Sequence, residues 1–247
     1  MNARWQRTCI WAGPVTLLLF AIGYWFVAGL VPPISPGHNA AQVAARYAAD
    51  HDRLRVGLTI AIFCSPFLFA WIAVLHTQLK TVEGDESPLA TTVLLTGAML
   101  VLFLFFPLMV LADAAFRTGE PPEITKAIND LGWLLFIAPA GPAVLLAVAM
   151  GAAMLSDTSP RPAFPRGVGY FNILMGMSFT GASLCWLFDS GPFAWNGVFP
   201  FWIPLVDFGL WVGVNTWAML RVVNARAAAP ASNQPMEEAL VASSLRS

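Results

Sequence analysis

Six long apolar stretches, separated by short polar connections, divide the chain almost from end to end: Cys9–Val31, Val56–Thr77, Thr92–Ala115, Leu131–Leu155, Val168–Phe188 and Pro200–Val222. Each reaches the roughly 20 residues that a helix needs to cross about 30 Å of hydrocarbon at about 1.5 Å per residue. Five of the six carry charge only near their ends. The pattern predicts an all-α polytopic bundle with six transmembrane helices over residues 1–223. A polar, alanine-rich tail, expected to be disordered and cytoplasmic, follows over residues 224–247.

The first outer loop has a pattern of its own. After Pro32-Pro33 and Ser35-Pro36-Gly37, Asn39 stands as an N-cap, and Gln42 three residues later completes a capping box. Ala40, Val43, Ala44, Tyr47 and Leu54 recur at helical spacing, with Gln42, Arg46 and Asp50 opposite. This predicts a short amphipathic helix that leads into the second span through Arg53-Leu54-Arg55. It serves as a lid on the bundle or lipid surface, or as a gate. The connection from Gln78 to Thr91 reads as a solvated turn. Pro121-Pro122 opens a further helical turn. Trp25, Trp133, Trp195 and Trp202 fall near one membrane boundary and Trp5, Trp11 and Trp217 near the other, where indole rings favour the headgroup level.

Composition sharpens this reading. Apolar residues make up 57% of the chain and charged residues 11%, against about 25% charged in soluble domains. The net charge of −1 gives nucleic acid no electrostatic hold. With the N-terminus inside, Arg4, Arg7, Lys80, Arg161, Arg166, Arg221, Arg226 and Arg246 lie on the inner side. Arg46, Arg53, Arg55, Arg117 and Lys126 lie on the outer side, so the bias places both ends in the cytoplasm. The first apolar run exceeds the length of a signal-peptide core and is read as a retained helix. Cys9, Cys64 and Cys185 sit singly in different spans and read as small buried hydrophobes.

Two spans carry small-residue stripes. Ala143, Ala147 and Gly151 repeat every four residues in the fourth span, and Asn172, Gly176 and Thr180 do so in the fifth. Such stripes let backbones approach closely in lipid. The neighbour is a helix of the same chain by default, or one from a second copy or another membrane subunit.

Asp207, about seven residues inside the sixth span, is the most informative polar residue. An aspartate at a helix centre costs about 2.5–3.5 kcal/mol on insertion scales, and somewhat less at this depth. It should therefore face the bundle and find a partner. Asp113 and Arg55 lie at the same membrane side, so the three are expected to form a polar cluster. That cluster either fixes helix register or makes an outward-facing pocket for a small solute or proton. Pro107 and Pro204 beside the two aspartates are candidate kinks.

Catalytic templates fail. Ser183 lies in the outer half of its span and His76 at the inner end of another, so they cannot act as nucleophile and base. No zinc motif, phosphate loop or pair of haem-ligating histidines is present, and His38 and His51 read as solvated surface. No metal and no cofactor is expected.

The chain resembles a group of uncharacterised six-span bacterial integral membrane proteins. The likeness is carried by Trp11-Ala12-Gly13-Pro14, by Ser35-Pro36 before Arg53-Leu54-Arg55-Val56-Gly57, and by Ile128-Asn129-Asp130-Leu131-Gly132-Trp133. Phe164-Pro165-Arg166-Gly167 through Asn172 and Gly191-Pro192-Phe193-Ala194-Trp195-Asn196-Gly197 complete it. The resemblance covers about residues 8 to 222. It implies the fold and a bacterial cytoplasmic (inner) membrane location, and it transfers no catalytic residue. Two functional expectations remain. One is a non-enzymatic membrane component or accessory subunit. The other is a small-solute or proton-coupled transporter built around Asp207.

Overall fold

The computed structural model describes residues 3–84 and 86–228. Within them the chain forms six helical units long and apolar enough to cross a membrane: Ala3–Val27, Ala40–Glu83, Pro88–Phe116, Pro122–Ser156, Arg166–Trp186 and Gly191–Ala228. No strand occurs among the described residues. This is a multi-pass membrane protein. Both described ends lie on one face of the bundle, because an even number of crossings separates them; that face is called the terminal face below.

Helix α1 (Ala3–Phe20) continues as a π-helical stretch over Ala21–Val27. Helix α2 (Ala40–Cys64) starts on the capping box: Asn39 Oδ1 accepts from Gln42 N at 2.9 Å, and Gln42 Oε1 accepts from Asn39 N at 3.0 Å. The amphipathic helix and the second span are one helix, bent where Asp50 leaves helical geometry (φ −114°, ψ 16°). A 3-10 turn, Ser65–Phe67, joins α2 to α3 (Leu68–Glu83). Helix α4 (Pro88–Phe116) runs unbroken past Pro107. Helices α5 (Pro122–Ile137) and α6 (Gly141–Ser156) make up the fourth span, with non-helical backbone between them. Helix α7 (Arg166–Phe179) tightens into a 3-10 segment, Thr180–Trp186. Helix α8 (Ile203–Ala228) follows a π turn at Val198–Trp202, so Pro204 sits in its first turn. Asn224–Ala228 thus extend the last span beyond the sequence boundary, and residues 229–247 lie outside the described residues.

The terminal face is tied by polar contacts. Arg7 donates to Asn224 Oδ1 at 2.9 Å, and Arg226 donates to Thr81 Oγ1 at 2.6 Å. The connection before α4 is more than a solvated turn. The Glu83 carboxylate accepts from the backbone N–H groups of Leu89 and Ala90, at 3.1 and 2.5 Å, and satisfies donors that the start of a helix leaves open.

Helices α6 and α7 approach most closely where side chains vanish. A Cβ on Gly151 would lie 2.6 Å from Gly169 O, and one on Gly176 would lie 3.2 Å from Val144 O and 3.4 Å from the Ala147 Cβ. The two small-residue stripes therefore meet within one chain. Thr180 departs from the expected stripe: it is exposed and its hydroxyl donates to Met177 O at 2.7 Å. At 3.6 residues per turn a four-residue step drifts by about 40°, so two steps carry Thr180 about 80° away from Asn172.

Buried apolar residues form two clusters stacked along the membrane normal. One, nearer the terminal face, includes Ile10, Trp71, Leu75, Met150 and Met219. The other includes Tyr24, Tyr47, Leu54, Leu111 and Trp133. Trp133 and Trp195, read from sequence as boundary residues, belong to the second core. Their indole N–H groups find internal acceptors, Asn129 Oδ1 at 3.1 Å and Ile34 O at 2.7 Å. Trp5, Trp11, Trp25 and Trp217 are exposed, as an interfacial belt requires.

Candidate functional site

The polar residues singled out in the sequence do not assemble into one cluster. Asp113 is paired one turn along its own helix with Arg117 Nε at 3.0 Å. The hydrogen bond and charge of Asp113 hold the Arg117 guanidinium above its ordinary pKa. Arg55 lies 5.4 Å above the Phe116 ring, a cation–π contact on the surface. Asp207 is half-buried and makes no ion pair among the described residues. Its Oδ2 is covered and has no hydrogen-bond partner. An i, i+4 pair at an exposed helix end forms locally, and it is the ion pair Asp113 makes in place of one to a distant helix.

Charge is organised instead around the amphipathic helix, on the face opposite the termini. Arg46 pairs with Asp50 at the bend of α2 and donates to Gly29 O at 3.1 Å. Gly29 has φ +65°, where an L side chain is strained, and a Cβ there would lie 3.4 Å from the Arg46 guanidinium. Below this clamp, Asn129 Oδ1 accepts from Tyr47 Oη and from Trp133 Nε1, both at 3.1 Å. Asn129 Nδ2 donates to Asp130 Oδ1 at 2.9 Å, and Lys126 Nζ closes the chain on Asp130 at 2.7 Å. Sequence reading set Arg46 and Asp50 opposite the apolar face of the helix and gave Asn129 no structural role. The Arg46–Asp50 pair is local, four residues apart, but the bonds from Arg46 to Gly29 O and from Tyr47 to Asn129 Oδ1 cross to other elements, and no local spacing reveals those. The helix is thus clamped onto the bundle.

A second polar knot holds the core near the terminal face. Asn172 and Asn215 exchange reciprocal amide bonds at 3.0 and 3.1 Å. Trp211 Nε1 donates to Asn172 Oδ1 at 2.7 Å, and Trp71 Nε1 donates to Thr216 Oγ1 at 2.9 Å. All five residues are buried. With every side-chain amide and indole group engaged, this knot joins α3, α7 and α8 and is built for packing.

Between the two cores lies a cavity of about 630 Å³. Its wall takes Leu68, Leu146 and Trp211 from one core and Tyr24, Ala140 and Phe201 from the other. Irregular backbone converges on it: the π stretch of the first span, the α5–α6 break, the 3-10 segment after α7 and the π turn before α8 all contribute lining residues. Non-helical backbone at membrane depth is tolerated where it is buried or lines a cavity, and π turns recur at functional sites. No charged side chain stands among the described residues that line it. Thr16 and Tyr24 supply its hydroxyls, and both oxygens are covered and without a partner. Thr59, Thr77, Thr92 and Thr96 all return their hydroxyl bond to the carbonyl four residues back, and Thr16 does not.

Asp207 does not line this space, although Val206 and Phe208 beside it do. Among the described residues no group of three or more metal-ligating side chains is found. No protein-family model, curated protein or solved structure matches the chain. The cavity is therefore the best-defined site, and its chemistry is that of an apolar binding pocket: its volume falls within the roughly 300–1,000 Å³ of ligand sites.

Proposed function

We propose that this chain is a non-enzymatic component of the bacterial cytoplasmic membrane, with both ends in the cytoplasm, that holds an uncharged apolar molecule inside its bundle. The resemblance to six-span bacterial membrane proteins and the Lys/Arg bias support the location and orientation. The observation that carries the binding role is the cavity, set between two well-packed cores and ringed by helix irregularities. Ordinary interiors close such voids, because an unfilled one forfeits dispersion contacts along its whole lining. An accessory or assembly role fits the same architecture, with the bound molecule completing the bundle. Native mass spectrometry of detergent-purified protein tests this: a lipid-sized mass increment should survive detergent exchange. A bare polypeptide mass under the mildest release conditions would contradict it.

A second reading, proton-coupled or small-solute transport, draws support from Asp207, whose covered carboxylate oxygen lacks a partner. Under that reading Asp207→Asn abolishes proton-dependent uptake into vesicles while leaving expression intact. Under the binding reading the variant leaves the lipid increment unchanged.

A further inference from the structure

We propose that the cavity receives the tail of a membrane lipid, an acyl or isoprenoid chain, which enters sideways from the bilayer between the first span and the beginning of α8, past Gly209. This rests on the binding role proposed above and adds the class of ligand and its route.

The route follows from which wall residues also face outward. Trp25 of the first span is 40% exposed, and on the sixth unit Trp202, Val206 and Leu210 are 38%, 60% and 53% exposed, while all four line the cavity. Residues lining other parts of the wall, such as Trp211, Ala140 and Phe179, are 2%, 6% and 7% exposed. The cavity is thus closed inward and open on one flank. α1 and α8 are joined near the terminal face by Arg7 and Asn224, and the opening lies at their other halves. Gly209 stands in this flank with nothing within 4 Å of where a Cβ would be. A missing side chain at an open site leaves a gap in the fence.

The ligand class follows from the lining and its depth. Lining residues such as Leu68, Leu104 and Ala140 lie in the middle of their spans, within hydrocarbon, so the molecule at the opening is lipid. A polar solute would lose its hydration there and gain in return only the hydroxyls of Thr16 and Tyr24, with no charged partner. A hydrocarbon chain gives up only contacts with other chains. It gains dispersion contacts with a preformed wall that includes Phe20, Phe103 and Phe136. A charged headgroup stays outside, near the exposed indoles of Trp25 and Trp202.

The test is photo-crosslinking of the full chain in phosphatidylethanolamine–phosphatidylglycerol vesicles. One arm carries a phospholipid with a diazirine at its tail end, the other a diazirine-tailed prenol. Adducts are mapped by peptide mass spectrometry. In the wild type, Ala140, Phe179 or Trp211 should be labelled as well as the lipid-facing references Leu18 and Phe63, which are 62% and 72% exposed. Gly209→Leu should lower the interior-to-surface ratio by about tenfold, equivalent to about 1.4 kcal/mol of occupancy. Gly213→Leu, on the same helix with open space at its Cβ and outside the cavity wall, serves as the folding control and should leave it unchanged. Interior labelling by the phospholipid alone assigns an acyl tail, and by the prenol alone an isoprenoid; either supports the proposal. Interior adducts undiminished in Gly209→Leu overturn the route while leaving the binding role standing. Absence of interior adducts in the wild type with both lipids overturns the two together.

Discussion

Asn172 shows how much a single amide can hold where no water competes. It bonds Asn215 in both directions, accepts from Trp211 and donates to Val168 O on its own helix at 2.8 Å. Asn172→Ala orphans an indole N–H and half of a buried amide. It should cost about 2 kcal/mol, whereas Asn215→Ala, which leaves Asn172 its other partners, should cost about 1 kcal/mol. Unfolding in mixed micelles measures both. In the chain, Asn172 could be seen as part of a periodic stripe, but its partners lie 39 and 43 residues away and no local pattern marks them. Asp113 is the converse: its partner Arg117 stands four residues on in the chain, at the spacing that brings side chains together on one helix face. At Asp157, in the loop between α6 and α7, the carboxylate accepts from Ser159 N at 3.0 Å and Ala163 N at 2.8 Å. A hydrogen bond from the Ser159 side chain first, and then that from Ala163 N, hold its pKa below the usual carboxylate value. The folded loop thus favours the ionised form. Its support is complete above the ordinary carboxylate range and is lost as pH falls through the lowered native value. Hydrogen exchange at the Ser159 and Ala163 amides should therefore lose protection on acidification into that window, and in Asp157→Ala at neutral pH.

Two glycines on the helices predict opposite outcomes for similar substitutions. Gly151→Val forces a side chain against Gly169 O and Ile173 and should cost about 2 kcal/mol or more through overpacking. Gly209→Leu meets open space and should be neutral or slightly stabilising, by up to about 1 kcal/mol from helix propensity. Thermal unfolding in detergent separates them. Asn39→Ala should remove about 1 kcal/mol and fray the start of α2, read as faster exchange at the Gln42 amide. The capping box was legible because all its parts lie within four residues. The continuity of the amphipathic helix with the second span was not, since only Asp50 leaves helical geometry there and the Arg46 bond that accompanies the bend reaches Gly29 O, outside the helix. The breaks around the cavity were partly visible. Pro139 and Pro142 stand at or beside the α5–α6 break and Pro200 within the π turn before α8, but Ala21–Val27 carries no proline, and its close packing on α2, where a Cβ on Gly23 would lie 2.6 Å from Gly57 O, is not local in the chain.

At the scale of the molecule, the six crossings could be read directly because lipid demands long uncharged runs, and few other structures need them. The cavity could not. Its wall gathers side chains from every span, and a void is a property of how helices fail to touch, which no stretch of sequence records. The same holds for the polar cluster expected around Asp207: position along a helix can be read from a chain but azimuth cannot, and azimuth decides who meets whom. The account depends on the cavity being a hydrocarbon-filled space. The most direct measurement is the accessibility of a spin label at Leu104→Cys, a lining position, in liposomes and in a background without Cys9, Cys64 and Cys185. Power saturation should show strong relaxation by oxygen, which dissolves in lipid, and almost none by a water-soluble nickel chelate. Strong relaxation by the chelate would make the cavity aqueous and contradict the account.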